Sequence, residues 1–431
     1  DKQENVESAA VIRRLVPLIR LASEYTAAHL TARFLAAISG LLLVRILPVN
    51  EYGFYTLVLA AFTFICTFSD LGATETLSFF RWRAGKKSKS WVPYFHAVMR
   101  FRRMVFMFAF ISSAAYVLSM GLHLGIEIST TLIAISLIGL SAWLAIHSGI
   151  IAYVLKLEQR FRQAYVVELS NEGAKFIAVC LICFFGYATS LAGMASIAIG
   201  SLLAAILATK LLDQRYSQAM KPIRRHVYQN NRALLGQILP ILPGTIYFTL
   251  QGPLIAWLAA FYGSLENVAE VGALGRLGAL IGFITGFSGT VFVPRLLAII
   301  DETLFLKRYL QWWLVMLVFG GAIIAFVCFS PKGLLFLLGN SYSGLSEELL
   351  ISAVIAVIAS FGAFSWHINR ARGWIKYQPY RVPVILSGQI FMFPFINFAT
   401  TQGVLLFSLG TVILDFVFQV LLNGLGFLVR K

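Results

Sequence analysis

The lysines and arginines of this chain collect in every second gap between its apolar segments. About twelve such segments run from Tyr25 to Val429, and the basic gaps lie at residues 81–103, 156–162, 210–232, 295–308 and 370–381. Both chain ends are also basic, whereas the other set of gaps contains a single basic residue, Lys332. Because short cytoplasmic loops of membrane proteins carry an excess of Lys and Arg, this alternation predicts a multi-pass protein with both termini in the cytoplasm.

The composition excludes most soluble classes of protein. The chain of 431 residues is 59% hydrophobic and 13% charged, with a mean hydropathy of +0.80. Most of the apolar segments reach the roughly 20 residues that a helix needs to cross the hydrocarbon layer, whereas the spans of a membrane β-barrel are short and alternating. The net charge of +16 is explained by the orientation signal and by attraction to anionic membrane lipids, so no nucleic-acid partner is predicted.

These segments predict an all-α integral membrane fold of about 12 transmembrane helices. The first six spans are expected near 25–47, 52–80, 104–122, 129–155, 166–187 and 191–212. The second six are expected near 237–262, 270–298, 309–330, 349–370, 382–402 and 404–429. A polar, basic linker over 213–236 separates the two sets. Segment 1–24 interleaves arginines with apolar residues, which is typical of a helix lying along the cytoplasmic interface.

An internal repeat relates the two halves. The string EYGFYTL begins at Glu51 and EVGALGR begins at Glu270, each at the start of an even-numbered span, and the same shift carries Phe64 onto Phe283. Each half has an even number of spans, so the halves share one orientation and would be related by a pseudo-twofold axis along the membrane normal. We therefore expect two six-helix lobes, 25–212 and 237–431, facing each other across a central cavity.

Signatures of enzymes and metalloproteins are missing from the sequence. It has no GxxxxGK[ST] phosphate loop and no set of zinc ligands. Cys180 and Cys183 have the spacing of half a zinc site, but without a second pair they are better explained by helix packing. We predict no cofactor, no disulfide and no enzymatic activity.

Two stretches of sequence resemble a known family of transporters. Residues 33–72, RFLAAISGLLLVRILPVNEYGFYTLVLAAFTFICTFSDLG, look like the opening two helices of the O-antigen or Wzx-type flippases. The stretch PGTIYFTLQGPLIAWLAAFYGSLENVAEVGALGRLGALIGF is similar to their seventh and eighth helices. These flippases belong to the multidrug/oligosaccharidyl-lipid/polysaccharide (MOP) superfamily, together with the lipid II flippase and the MATE drug exporters.

The resemblance implies a function in polysaccharide export. A member of this family moves an oligosaccharide linked to undecaprenyl pyrophosphate from the cytoplasmic to the outer leaflet of the bacterial inner membrane, by alternating access. It would act beside a polysaccharide polymerase and a chain-length regulator. The local motifs are degenerate, so the resemblance identifies the superfamily better than the substrate.

Arginines inside the predicted spans are candidates for binding an anionic substrate. Ionisable groups within a membrane are costly and normally face a cavity or a partner. Arg33 lies roughly 14 Å along the first helix, taking about 1.5 Å per residue, and Arg276 lies in the eighth. Arg45 is either a headgroup anchor or, as its position in VRILPVNEYG implies by resemblance, a cavity residue. A guanidinium fork suits pyrophosphate because it donates two parallel hydrogen bonds.

The fifth predicted helix has the densest polar face. Glu168, Glu172 and Lys175 are four and three residues apart and therefore lie on one side, with Asn171 adjacent. One interpretation is a salt-bridge cluster that holds the lobe together. The other is a proton or sodium site, or part of a gate, whose charge state favours one conformation; Lys175 would then also face the substrate.

Three further polar residues complete the candidate site. Asp70 in FSDLG lies in the second helix, where it is expected to pair with Arg33 or Arg81 or to take part in gating. Asp415 belongs to a polar stripe on the twelfth helix and has no opposite charge nearby in sequence, so we expect it to be protonated or ion-bound, as a coupling residue would be. Gln251 either hydrogen-bonds sugar hydroxyls or packs between helices.

Two rival functions are weighed against the flippase. A MATE-like exporter of small cations would need an acidic or apolar cavity rather than one carrying Arg33, Lys175 and Arg276. A membrane polysaccharide polymerase or ligase generally has a long outer loop with arginine or histidine. The longest outer gap here, Pro331 to Glu348, contains neither, and its one basic residue is Lys332. A purely structural role would not need buried charge in both lobes.

The charge alternation yields a prediction about topology. Single cysteines introduced at Lys87, Arg224 and Lys376 should react with a membrane-impermeant thiol reagent only from the cytoplasmic side. A cysteine at Ser343 should react only from outside. Labelling of the Lys87 position from outside the cell would overturn the predicted orientation.

Overall fold

The regular structure of the chain is helical throughout its described part. A computed structural model describes residues 30–83, 92–212, 233–239, 242–281, 296, 299, 301–374 and 376–429. The predicted interfacial segment 1–24 and most of the predicted linker 213–236 lie outside these residues.

Fifteen helices are labelled here in chain order. Those of the first lobe are α1 (30–46), α2 (Val49–Phe68), α3 (Ala73–Arg83), α4 (Val92–His123), α5 (Ile128–Leu157), α6 (Phe161–Phe185) and α7 (Ser190–Leu211). They are followed by α8 (233–238), α9 (Leu242–Tyr262), α10 (Leu265–Ile281), α11 (Glu302–Phe329), α12 (Pro331–Leu338), α13 (Ser346–Arg372), α14 (Arg381–Met392) and α15 (Thr401–Val429).

Eight helical stretches among the described residues are long and apolar enough to cross a membrane. They comprise α2 with α3, α4, α5, α7, α9, α11, α13 and α15. The other four predicted spans correspond to α1, α6, α10 and α14. Of these, α6 carries charged side chains along its length, and α14 has only 12 residues. An all-α membrane fold is therefore confirmed, whereas twelve crossings remain a prediction.

The two lobes share one hydrophobic core at one end and have separate cores at the other. The shared core joins residues of α1, α2, α4 and α5 with residues of α9, α10 and α12, among them Tyr52, Leu258 and Leu338. A second core lies in the first lobe around Leu77 and a third in the second lobe around Phe364. We call the end of the bundle with the two separate cores the basic end, because the predicted basic gaps lie there, and the other the opposite end.

One exposed ion pair links the lobes at the basic end. Arg370 Nη2 of α13 lies 3.6 Å from Glu75 Oε2 of α3, and both side chains are more than 60% exposed. Solvated pairs of this kind contribute about 0–1 kcal/mol. The described part of the chain is therefore closed by packing at the opposite end and held only weakly together at the basic end.

The internal repeat is visible in the hydrogen bonds of the two lobes. Glu51 Oε2 accepts a hydrogen bond from the backbone N–H of Ser190 at 2.7 Å, which ties α2 to the start of α7. At the matching position of the second lobe, Glu270 accepts from the hydroxyl of Thr401 and ties α10 to the start of α15. The acidic residue that opens each repeated string therefore has the same structural task in both lobes.

The starts of α7 and α15 are also capped alike. Thr189 Oγ1 accepts from the N–H of Ala192 at 3.2 Å, and Thr400 Oγ1 accepts from the N–H of Gly403 at 3.1 Å. Each hydroxyl satisfies a backbone donor that the first helical turn leaves unpaired. Inside a bilayer such donors cannot form hydrogen bonds with water, so the caps determine where both helices begin.

The second predicted span is interrupted rather than continuous. A turn at 69–72 separates α2 from α3, with Leu71 at φ +42° and Gly72 at φ +78°. The Asp70 carboxylate accepts hydrogen bonds from the N–H and hydroxyl of Thr74 and so caps α3. A single helix over 52–80 is therefore wrong, because Asp70 offers the backbone an alternative partner and Gly72 tolerates the left-handed conformation.

Several other predicted boundaries are also wrong. Helix α14 ends at Met392 and passes through a 3₁₀ turn, Phe393–Phe395, instead of running to 402. Helices α4 and α11 begin well before their apolar segments, at Val92 and Glu302, since hydropathy shows where lipid starts and not where helix starts. Pro243 lies in the first turn of α9, where proline is tolerated, while Pro253 is in the interior.

Helices α2 and α10 cross closely at the opposite end, at two glycines of the repeat. A Cβ on Gly53 would lie 2.2 Å from the carbonyl oxygen of Leu265, and a Cβ on Gly272 would lie 2.5 Å from the Thr56 side chain. Gly53 and Gly272 are the third residues of the two repeated strings. Small residues at such crossings let helix backbones approach in a bilayer, where packing is the main attraction between helices.

This crossing predicts that Gly53→Ala destabilises the protein. The new methyl group meets backbone, which cannot move aside, so we expect a loss of about 1–3 kcal/mol, the usual cost of overpacking. Thermal unfolding of the detergent-purified protein measures it. Gly275→Ala is the matched control, since a Cβ there meets no atom within 4 Å. Equal melting temperatures for the two variants would contradict the crossing.

Candidate functional site

Arg276 of α10 reaches from the second lobe into the first. Its Nε donates to the hydroxyl of Tyr52 at 3.5 Å, and the guanidinium lies beside the hydroxyl of Tyr55. Both tyrosines belong to α2 and are at most 1% exposed. Gly40 of α1 makes room for the arginine, because a Cβ there would lie 3.1 Å from Arg276 Cδ. The structure thus places this predicted site residue at the contact between the lobes.

Arg33 and Arg45 lie on the same helix, α1, in different surroundings. Arg33 is exposed and forms no ion pair or hydrogen bond with another described residue. Arg45 lies near the opposite end, where its guanidinium sits 5.0 Å from the ring centroid of Phe336 in α12. Arg45 therefore bridges the lobes through a cation–π contact, while Arg33 is available to a ligand.

The polar face of α6 forms two ion pairs. Lys156 of α5 pairs with Glu168, and Lys175 Nζ lies 3.3 Å from Glu172 Oε2. The amide of Asn171 also donates to Glu172, at 3.1 Å. This geometry agrees with the salt-bridge interpretation, to which it adds Lys156. It leaves the coupling and gating interpretation untested.

Asp70 pairs with a partner that the sequence did not suggest. Its carboxylate lies 3.3 Å from Arg102 Nη1 of α4, and the same guanidinium donates to the Thr74 hydroxyl at 2.9 Å. Arg102 is 6% exposed. The expected pairing of Asp70 with Arg33 or Arg81 is therefore wrong. The turn at 69–72 directs the carboxylate toward α4, and α4 extends far enough past its apolar segment to supply the arginine.

Asp415 is also paired, contrary to expectation. Arg381 of α14 binds its carboxylate through two hydrogen bonds, from Nε at 2.6 Å and from Nη2 at 2.8 Å. The same guanidinium lies 4.0 Å from the ring centroid of Phe248 on α9. Arg381 lies at the end of the predicted basic gap 370–381, but in the structure α14 begins at this residue and packs along α15. Asp415 therefore has a cationic partner in this conformation, which the sequence did not suggest.

A network of amide side chains joins three helices of the second lobe. Gln389 of α14 donates to Gln251 Oε1 on α9 at 2.9 Å and to Thr411 on α15 at 3.0 Å, and it accepts from the hydroxyl of Tyr247 at 3.0 Å. The polar stripe below Asp415 continues with Gln419, to which Asn369 donates at 3.0 Å. Gln251 is therefore engaged in packing between helices, and its role toward a sugar stays a prediction.

These contacts leave an uneven balance of charge. The four predicted carboxylates Glu168, Glu172, Asp70 and Asp415 each face a lysine or arginine. By contrast, no ion pair joins Arg33 or Arg45 of α1, or Arg276 of α10, to a carboxylate in the described part of the chain. These three arginines are therefore without an ion-pair partner among the described residues, although α10 also carries Glu266 and Glu270.

Comparison with solved structures identifies the fold. The chain resembles the lipid II flippase MurJ in its inward closed conformation, with a TM-score of 0.67 and 14% identity over 94% of this chain and 87% of that one. It resembles a multidrug resistance MATE family transporter of the MOP superfamily in an inward-facing conformation, with a TM-score of 0.66 and 15% identity over 92% and 94%. This is the fold of MOP superfamily transporters. No protein family profile matches the chain, and no curated protein matches it.

The likeness also depends on conformation. An outward-facing structure of a MATE family transporter of the MOP superfamily gives a TM-score of 0.57 at 14% identity over 95% of this chain and 94% of that one. All of these identities are low, so they establish architecture and leave the substrate open.

Sequence reasoning missed the cations Arg102, Lys156 and Arg381. Each lies at or beyond the end of an apolar segment, and each reaches a carboxylate on a neighbouring helix. The signal was present, because an unpaired carboxylate within a membrane demands a partner. The sequence does not show which cation is the partner, because that depends on how far each helix extends past the lipid.

Proposed function

We propose that this protein is a flippase for a polyprenyl-pyrophosphate-linked oligosaccharide, which it moves from the cytoplasmic to the outer leaflet by alternating access. The observation that supports it is the charge balance between the lobes. The carboxylates Glu168, Glu172 and Asp415 are neutralised within their own lobes, while Arg33 and Arg276 face none. A cleft with net positive charge attracts a pyrophosphate and repels the organic cations that a MATE-like exporter would carry.

The proposal includes an orientation and a setting. The basic end is cytoplasmic, in line with the distribution of Lys and Arg, so the conformation described here is open toward the cytoplasm. The membrane is the bacterial inner membrane, and both termini are cytoplasmic. Export would then hand the glycan to a polysaccharide polymerase working with a chain-length regulator on the outer side.

In this scheme Arg276 serves both conformations. With the opposite end closed, its guanidinium is held by Tyr52 and Tyr55, two neutral acceptors. A pyrophosphate is a stronger partner, because its charged oxygens accept shorter hydrogen bonds. Binding of the substrate would draw Arg276 away from the tyrosines and weaken the closure of the opposite end. A ligand changes conformation only by binding the two states differently, and this exchange supplies such a difference.

The first test of this function replaces the two unpaired arginines. Arg33→Ala and Arg276→Ala should each abolish flipping of a lipid-linked oligosaccharide in reconstituted vesicles, with normal amounts of folded protein. Arg→Lys should restore only part of the activity, since the fork is lost. Arg308→Ala is the control for loss of one exposed cation at the basic end, and Tyr52→Phe tests whether Arg276 acts only through its tyrosine. Wild-type flipping by either arginine variant would remove that residue from the mechanism.

The second test concerns energy coupling, for which we propose Asp415, Glu168 and Glu172 as candidates. Because Arg381 neutralises Asp415, a coupling proton or sodium ion would have to alternate with that arginine. Asp415→Asn should slow transport and weaken its response to an imposed ion gradient. The double variant Asp415→Asn/Arg381→Gln leaves no unpaired charge and should recover stability without recovering the response. A normal response in Asp415→Asn combined with Glu168→Gln and Glu172→Gln would favour a facilitator driven by its substrate.

A further inference from the structure

A cluster of basic side chains lies on α4 and α5, beside α7, at the basic end of the first lobe. His96, Arg100 and Arg103 follow one another along α4 at helical spacing, so they share one face. The guanidinium of Arg103 lies 5.6 Å from the ring centroid of Trp143 on α5. One turn further along α5, His147 Nε2 lies 3.5 Å from the hydroxyl of Thr209 on α7. We call these residues the flank cluster.

Among the described residues, no acidic side chain accompanies the flank cluster. The charged guanidinium groups of Arg100 and Arg103 lie close enough to the ring of His96 to interact with it electrostatically. Arg103 interacts in the same way with the ring of His147. In the described part of the chain no carboxylate pairs with any of the four. Two of their nitrogens, His96 Nε2 and Arg100 Nε, are buried without a hydrogen-bond partner there. Two arginines held together without a carboxylate partner among the described residues favour an anion.

The depth of the cluster in the membrane follows from the surface next to it. On α4 the exposed apolar residues begin directly after Arg103, with Met104, Met107 and Phe108 at 54–76% exposure. On α5 exposed apolar residues end at Trp143, and on α7 they end at Ile206, just before Thr209. Three adjoining helices therefore change from lipid-facing to polar or basic at one level. We expect that level to lie in the headgroup layer, where tryptophan is also enriched.

We propose that the flank cluster binds the phosphate of an anionic phospholipid in the leaflet at the basic end. A basic pocket between transmembrane helices at headgroup depth is suited to such a phosphate, with the acyl chains lying along Met107 and the exposed face of α5. The arginines donate to the phosphate oxygens and Trp143 packs against the glycerol region. The site lies on α4, α5 and α7, whereas Arg33 and Arg276 lie on α1 and α10, so it does not depend on the proposed transport substrate.

Trp143 provides a local probe for the test. The protein is reconstituted in phosphatidylcholine vesicles containing either brominated phosphatidylglycerol or brominated phosphatidylcholine at equal mole fraction. The Trp143 signal is the fluorescence lost in Trp143→Phe. We expect brominated phosphatidylglycerol to quench this signal more strongly than brominated phosphatidylcholine. Each arginine removed from the cluster should lower the preference about fivefold, since one cation near the membrane surface contributes about 1 kcal/mol.

Variants separate a site from general charge attraction. Arg100→Gln/Arg103→Gln should abolish the preference, and Arg100→Lys/Arg103→Lys should keep most of it. Arg103→Gln alone, at an exposed position, serves if the double variant does not fold. The matched control is Lys307→Gln/Arg308→Gln, which removes two exposed cations from α11 at the same end of the other lobe and should leave the preference intact.

Three outcomes would overturn the proposal. One is equal quenching by the two brominated lipids. Another is a loss of preference in the α11 control as large as in the α4 variant. The third is loss of the preference on adding millimolar inorganic pyrophosphate, but not sodium chloride of equal ionic strength, which would assign the cluster to a soluble anion instead of a lipid.

Discussion

The close crossing of α2 and α10 fixes how the two lobes meet. Gly53 and Gly272 let the helix backbones approach at the opposite end, and no larger side chain fits at Gly53 without moving backbone. Between lipid-embedded helices the hydrophobic effect adds little, so packing at such crossings is the main attraction. Tyr52 and Arg276 can meet across the interface only because the helices are this close.

The polar contacts show why the arginines between the lobes are distinctive. Removing one partner of a buried ion pair costs about 3–5 kcal/mol, because the other charge is left without compensation. The pairs of Asp70, Glu168, Glu172 and Asp415 each lie within one lobe, so rigid motion of the lobes leaves them intact. Arg276 differs, since its hydrogen bond crosses the interface. Its partner must change whenever the opposite end opens.

The membrane class, the helical fold and the repeat could be predicted from the sequence, because each depends on properties that repeat along the chain. Hydropathy marks the lipid, and the strings at Glu51 and Glu270 mark the second helix of each half. Helix ends could not be predicted, since α4 continues as a helix for a dozen residues before its apolar part. The partners of Asp70 and Asp415 depend on those ends. Arg276 could be predicted as a candidate from its place within an apolar span. Its tyrosine partners could not, because they depend on how α10 packs against α2.

The interruption at 69–72 divides the second span between two hydrophobic cores. Residues of α2 such as Tyr52 and Ile65 belong to the core shared by both lobes, whereas Leu77 and Phe80 of α3 belong to the separate core of the first lobe. Asp70 caps α3 and binds Arg102, so the start of α3 is fixed to α4 rather than to α2. In the turn between them Leu71 and Gly72 have positive φ, while the N–H groups of Ser69 and Leu71 still donate to the carbonyl oxygens of Ile65 and Thr67 at the end of α2. In the proposed transport cycle, this break is where we expect α2 to change its angle to α10 while α3 stays packed in its own lobe.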